Sequence, residues 1–260
     1  MALPIATRMS PPPGSCAIAV MAKTPRPGQV KTRLVPPLSA DEATALNAAF
    51  LGDITATITS LGGSPAIAAF VAYAPAGDEA WFDGMLAPGT ALLLADGSLP
   101  APPGVSGIGR ALLHATRALL ARGYDAVCLV NSDSPTLPAA ILGDAVATLA
   151  LGRKVVLGPA EDGGYYLIGI PTALARRAEA LFNDIPWSTP QVTAVTLARA
   201  ALAGLEVAQL PPWYDVDDAP SLRRLIRSIG GHGGALSPAP ETARCVARLG
   251  LDRRFSGSET

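Results

Sequence analysis

The stretch Val127-Cys128-Leu129-Val130-Asn131-Ser132-Asp133-Ser134-Pro135-Thr136-Leu137-Pro138 constrains the fold more than any other part of the chain. Its opening apolar run carries two valines, is too short for a helix, and reads as a strand buried on both faces. Pro135 and Pro138 forbid the strand from running on, and Pro138 suits the first turn of a helix over residues 139–149. The strand therefore ends on a carboxylate, Asp133, at a strand-to-helix junction. In open α/β sheets ligands bind outside the carboxyl ends of the strands, so an acid there is placed to handle a metal or a phosphate. Capping the helix or closing an Asx turn would use the same acid differently.

The rest of the chain repeats this alternation. Strands are predicted at 16–21, 66–73, 91–94, 154–159, 165–170 and 206–210. Helices are predicted at 41–61, with Ser39 and Glu42 forming a capping box, and at 108–122. Ser188, Pro190 and Gln191 open another helix reaching 203, and two more cover 221–229 and 241–249. The strand at 165–170 follows its predecessor too closely for a helical crossover, which predicts antiparallel pairing. Short connections between alternating elements imply one mainly parallel sheet with helices on both faces. The expected organisation is a flexible leader over 1–15, one domain over 16–230, and a linker with a C-terminal helix and tail over 231–260.

Lysine and arginine number 20 against 21 acids, a net charge of -1, so nothing suggests a nucleic-acid track or an anionic membrane patch. A small-molecule partner is expected. Cys16, Cys128 and Cys245 lack metal-type spacing and fit a reducing cytoplasm. The apolar run at 16–22 is too short and wrongly flanked for an export signal or a membrane span, so the expected location is cytoplasmic.

Polar signals gather just after strands. The first strand runs into Lys23-Thr24-Pro25-Arg26-Pro27-Gly28-Gln29-Val30-Lys31-Thr32-Arg33, which is neither a G-x-G-x-x-G turn nor a P-loop. Its cations Lys23, Arg26, Lys31 and Arg33 suit a di- or triphosphate, or else form a solvated basic loop. Asp133 and the cluster Asp215, Asp217 and Asp218 follow different strands, and two such carboxylates are what a divalent cation bridging phosphates needs. Capping of the helix at Ser221 is the alternative for Asp217 and Asp218. Glu161-Asp162-Gly163-Gly164 offers paired acids beside glycines that let backbone approach a ligand, or a plain tight turn. Tyr165, Tyr166, Trp187 and Trp213 lie near these loops and could stack on a base or sugar, or rim the core. His114 and His232 are isolated, and no G-x-S-x-G elbow is present, which sets hydrolase chemistry aside.

Taken together, residues 21–34, Asn131-Ser132-Asp133-Ser134-Pro135, residues 158–166, Trp187-Ser188-Thr189 and Asp215-Val216-Asp217-Asp218-Ala219-Pro220 resemble the nucleotide-diphospho-sugar transferase superfamily. More closely, the chain resembles a bacterial family of proposed glycosyltransferases, some linked by context to radical-SAM proteins and arsenosugar biosynthesis. The resemblance runs from about residue 16 to 227. It implies a single-domain three-layer α/β/α sandwich of the glycosyltransferase A-type. It also implies Asp133 as a metal ligand, Asp215 or Asp217 as the second, and Mg²⁺ or Mn²⁺ as the metal. The loop at 23–33, with Ser132, is then the nucleotide-phosphate site. Gly163, Gly164, Tyr165, Trp187 and Ser188 fall to substrate binding, and Glu161 or Asp162 to the acceptor side as general base. Where relatives often show Gly-Asp-Leu-Gly, this chain has Ser106-Gly107-Ile108-Gly109, so one acid of the pattern is absent. The implied reaction is metal-dependent transfer of a sugar from a nucleotide-diphospho-sugar to a small acceptor. The alternatives are nucleotidyl transfer to a phosphorylated small molecule, as the basic loop of guanylyltransferases suggests, or nucleotide binding without catalysis.

Overall fold

Cys16, Ile18 and Val20 alternate with Ala17 and Ala19 along β1 (Cys16–Lys23), and the two sets enter different cores on opposite faces of one sheet. The computed structural model describes residues 10–62, 66–230 and 237–256. Most of the leader, most of the linker and the end of the tail lie outside the described residues. β2 (Ile67–Ala74), β3 (Ala91–Leu94), β4 (Ala126–Asn131), β5 (Val155–Pro159), β6 (Tyr165–Pro171) and β7 (Val207–Gln209) complete a 7-stranded sheet of order β3-β2-β1-β4-β6-β5-β7. Only β6 runs against its neighbours, pairing antiparallel with both β4 and β5 as its short connection requires.

On one face lie α1 (Ala40–Ser60) and α3 (Ala139–Ala150), contributing Leu51, Ile54, Leu142 and Leu149 to the first core. The other face is covered by α2 (Ile108–Leu120), α4 (Ala175–Ala178) and α5 (Val192–Leu202). A third cluster joins α1 to α6 (Ala219–Gly230), α7 (Pro240–Arg248) and α8 (Leu251–Ser256) through Phe50, Leu222, Val246 and Leu251. The Ser39 and Glu42 capping box forms in full. The C-terminal helices pack back onto α1: Asp53, buried in α1, accepts hydrogen bonds from the Glu241 and Thr242 backbone N–H groups, each at 2.8 Å, and so caps α7 from another helix. Cys16, Cys128 and Cys245 are free and buried. Among the described residues no helix is long and apolar enough to cross a membrane.

The parallel strands β1, β4 and β5 end at one edge of the sheet. The loops leaving that edge are those in which the sequence concentrates its charge.

Candidate functional site

Those loops enclose a cleft of about 630 Å³, lined among others by Lys23, Arg33, Asp133, Asp162, Trp187 and Asp217. A smaller lobe of about 280 Å³ adjoins it beneath the basic loop, where Lys31, Asn47 and Ser132 join Asp133 and Asp217. β4 brings Asp133 here because its chain turns sharply after Asn131, whose side-chain oxygen accepts the Asp133 N–H at 3.3 Å. Asp133 does not cap α3. That helix starts behind Pro138 with no side-chain cap.

The four loop cations take separate roles. Arg26 forms an ion pair with Asp78 and stacks over the Trp81 ring, and it lines neither lobe. Lys31 holds a left-handed backbone, φ 50°, that turns its side chain inward. Its ammonium lies 2.6 Å from Asp133 Oδ1 and 3.1 Å from Asp217 Oδ1, and donates to the Val216 carbonyl at 2.7 Å. The Phe50 ring centroid is 5.4 Å away. Burial works against the Lys31 charge, but the two carboxylates outweigh it and leave its pKa raised. Lys23 and Arg33 are exposed, line both lobes, and have no carboxylate within ion-pairing distance among the described residues.

The three carboxylates after β7 are each held differently. Asp215 Oδ1 accepts from Asn131 Nδ2 and Ser134 Oγ, both at 2.6 Å. Burial, with the like charges of Asp133 and Asp217 adding to it, pushes its carboxyl up to about 6 despite those hydrogen bonds. Asp217 faces Lys31, whereas Asp218 caps α6 by accepting from the Ser221 N–H at 2.9 Å. Among the described residues no group of three or more His, Cys, Asp or Glu converges to hold a metal. Asp133 and Asp217 nevertheless form a fitting pair for a divalent cation: their Oδ1 atoms already share one cationic nitrogen, both side chains are part-exposed to the cleft at 32% and 41%, and Mg²⁺ needs only one or two carboxylates when phosphates and water complete its shell. Asp215 lines the same cleft, with its Oδ1 already taken by Asn131 and Ser134.

The paired acids after β5 are divided. Glu161 is gripped through both oxygens by Arg224, at 2.5 and 3.0 Å, and does not line the cleft. Asp162 does line it, oriented by the Gly164 N–H on its Oδ1 at 2.8 Å. Gly163 has φ 92°, and a Cβ there would lie 2.2 Å from the Pro190 carbonyl oxygen, so the turn closes only with glycine. Gly163 packs against Pro190 and its carbonyl accepts the Thr193 N–H at 2.9 Å, whereas Gly164 lines the cleft itself. Ser132 lies in the smaller lobe and donates to Asp133 Oδ1 at 3.0 Å.

An apolar wall lines the same cleft. Tyr165 and Trp187 meet edge to face with centroids 6.2 Å apart, flanked by Leu112 and by Ile108, which is 52% exposed. The Tyr165 hydroxyl and Trp187 Nε1 are buried without hydrogen-bond partners among the described residues. Trp187 lies against the start of α2, within 3.4 Å of where a Cβ on Gly107 would be and 3.0 Å of one on Gly109. The place of the absent acid is thus apolar. Ser188, predicted to open a helix, lies outside α5 with φ 63° and lines the cleft instead. Sequence reasoning missed Asn131 as the orienter of Asp215, Asn47 as a lobe residue and Arg224 as the partner of Glu161. Asn131 was inside the anchoring stretch, but nothing local distinguishes Asn47 or Arg224 from ordinary residues of amphipathic helices.

A sequence profile of the family described as "Uncharacterized protein conserved in bacteria (DUF2064)" matches residues 57–189. No curated protein matches the sequence. Among solved structures, the chain is similar to a proposed nucleotide-diphospho-sugar transferase from Desulfovibrio desulfuricans G20, at 28% identity and a TM-score of 0.73 over 93% of this chain and 98% of that one. It shares its fold with a cytidylyltransferase from Leptospira borgpetersenii serovar Hardjo-bovis (strain JB197), at 10% identity and a TM-score of 0.52, covering 94% of this chain and 98% of that one. The same holds for CMP:2-keto-3-deoxy-manno-octonic acid synthetase complexed with CTP, at 12% identity and a TM-score of 0.50, covering 81% and 96%. The three-layer, mainly parallel architecture expected from the sequence is the one these structures have in common.

Proposed function

The chain belongs to that bacterial DUF2064 family and has the nucleotide-diphospho-sugar transferase fold, and from this premise we propose that it is a nucleotide-dependent transferase moving a sugar from a nucleotide-diphospho-sugar to a small acceptor. The observation that carries the reading is that one cleft is lined by both kinds of group: Lys23 and Arg33, cations without an ion-pairing carboxylate among the described residues, with the Asp133 and Asp217 carboxylates, and the Tyr165 and Trp187 wall. A diphosphate flanked by rings matches both, and a cleft of about 630 Å³ is within the usual range for such ligands.

Lys23 and Arg33 bind the phosphate oxygens through charge-assisted hydrogen bonds. Asp133 and Asp217 would hold Mg²⁺ or Mn²⁺, with Asp215 lining the same cleft. Such a cation supplies charge neutralisation to a diphosphate leaving group. Tyr165, Trp187, Ile108 and Ser188 shape the ring-binding end, with Gly164 lining the turn and Gly163 fixing it. Asp162, held on Oδ1 and free on Oδ2 among the described residues, takes the proton of the acceptor hydroxyl as general base.

A thermal-shift screen of nucleotides and nucleotide-sugars with and without Mn²⁺ tests the binding reading, since a ligand bound only by the folded state raises its melting temperature by mass action. Release of a nucleoside diphosphate from a stabilising sugar donor supports glycosyl transfer. Pyrophosphate release from a nucleoside triphosphate replaces it with nucleotidyl transfer. Binding with turnover of no donor leaves a sensing module.

A further inference from the structure

The acid pair assigned above to a divalent cation already surrounds a cation of the chain itself. Lys31 is 4% exposed at its side chain, and its ammonium touches Asp133, Asp217 and the Val216 carbonyl, one partner for each of its three N–H donors. An ammonium and a metal ion cannot both sit between the same two oxygens. Mutual repulsion would hold them several ångströms apart, and each draws its stability there from the same carboxylates.

A second observation lies in the same lobe. Asn47, on α1, is 4% exposed and lines the smaller cavity with Lys31, and its side-chain oxygen has no hydrogen-bond partner among the described residues. A buried amide oxygen without a donor is costly, so the lobe is incomplete in this arrangement. Asn47 sits one turn before Phe50, whose ring lies beside the Lys31 ammonium. The lobe therefore holds an acceptor lacking a donor and, alongside it, a side chain that carries three.

We propose that Lys31 is a displaceable resident cation: it holds the position between Asp133 and Asp217 until a divalent cation takes it, and then turns within the lobe toward the Asn47 oxygen and the incoming phosphate. The inference rests on the cation assignment under Proposed function. It has a thermodynamic consequence. The metal must displace an ammonium, which weakens its binding to the free protein, and a phosphate that accepts the released ammonium restores that affinity, so metal and phosphate bind with positive coupling. The acids stay neutralised throughout.

The test uses the full chain and Mn²⁺ alone, followed by electron paramagnetic resonance. Lys31→Met should bind Mn²⁺ about tenfold or more tighter than the unsubstituted chain, because the competitor is gone and both acids remain. Lys31→Arg, which retains the charge, should not gain. A second measurement needs no substitution. The chain's only lysines are Lys23, Lys31 and Lys154, so reductive methylation read by peptide mass spectrometry resolves each one. Lys31 should be modified slowly without Mn²⁺ and about tenfold faster when it is saturating, with Lys154 unchanged as the internal reference. Equal or weaker Mn²⁺ binding by Lys31→Met, while Asp133→Asn abolishes it, overturns the displacement and leaves the cation site standing. An unchanged Lys31 methylation rate with Mn²⁺ bound does the same. Absence of Mn²⁺ binding in both the unsubstituted chain and Lys31→Met removes the cation assignment, and this inference with it.

Discussion

Arg224 grips Glu161 through both carboxylate oxygens while its guanidinium lies 3.9 Å from the Tyr214 ring centroid. The neighbouring acid, Asp162, turns the other way and lines the cleft. Two adjacent carboxylates thus point to different tasks, one tying the turn after β5 to α6 and the other facing the substrate space.

Turnover should separate them. Asp162→Asn should lower kcat by about 10² to 10⁴ with donor affinity little changed, the usual contribution of a positioned general base. Glu161→Gln should leave kcat within about threefold and change stability by at most about 1 kcal/mol, because the Arg224 pair is exposed to solvent. The reverse ranking in steady-state kinetics would move the base to Glu161.

The basic loop should divide in the same way. Lys23→Ala or Arg33→Ala should each weaken nucleotide binding by about 1.5 to 3 kcal/mol in titration calorimetry, the worth of a charge-assisted hydrogen bond. Arg26→Ala should leave it unchanged within about 0.5 kcal/mol, since that guanidinium is spent on Asp78 and Trp81. A loss in Arg26→Ala as large as in Arg33→Ala would mean that the loop rearranges when ligand arrives.

A third expectation concerns pH. Burial raises the Asp53 pKa above 3.8, and the hydrogen bonds from Thr242 and Glu241 offset that only partly. A raised folded-state pKa means the unfolded chain gives up this proton first. The group's stabilising contribution is therefore complete below 3.8 and is lost as pH rises through the folded-state value. Asp53→Asn cannot titrate and loses one acceptor for the first turn of α7, a cost of about 1 kcal/mol. Denaturant melts should show the unsubstituted chain losing stability relative to Asp53→Asn as pH rises from below 3.8 towards neutrality. A difference that stays constant with pH would mean that Asp53 titrates alike in both states.

The strands were legible because their period and punctuation are local. Val127–Val130 before Asn-Ser-Asp-Ser-Pro predicted β4 and the sheet edge that carries the candidate cleft, and the short link to β6 predicted its reversal. Individual side-chain targets were not legible. Lys23, Arg26, Lys31 and Arg33 look alike in sequence, yet Asp78, from another loop, takes one and Asp133 with Asp217 takes another. Those pairings span 52 residues or more and depend on how loops from different strands converge. Ser188 misled for a related reason: it resembles a helix start, but its backbone is left-handed at φ 63° and α5 begins only at Val192. The docking of α7 on α1 depends on Asp53, which in sequence is one more polar residue on a long helix.

Gly109 tests the ring end of the cleft without touching its charges. A Cβ there would lie 3.0 Å from Trp187 Cζ2, 3.1 Å from its Nε1 and 3.2 Å from the Phe182 carbonyl oxygen. The carbonyl belongs to backbone, so the indole must give way. In Gly109→Ala the helix gains up to about 1 kcal/mol of intrinsic preference, whereas overpacking costs about 1 to 3 kcal/mol, so the fold should survive with a modest net loss. The displaced Trp187 no longer meets Tyr165 as before, and nucleotide-sugar affinity should fall about tenfold while inorganic pyrophosphate, which needs only the cationic end, binds as in the unsubstituted chain. Equal weakening of both ligands would show that Trp187 supports the whole cleft rather than one end, and no weakening of either would remove the aromatic wall from the binding surface.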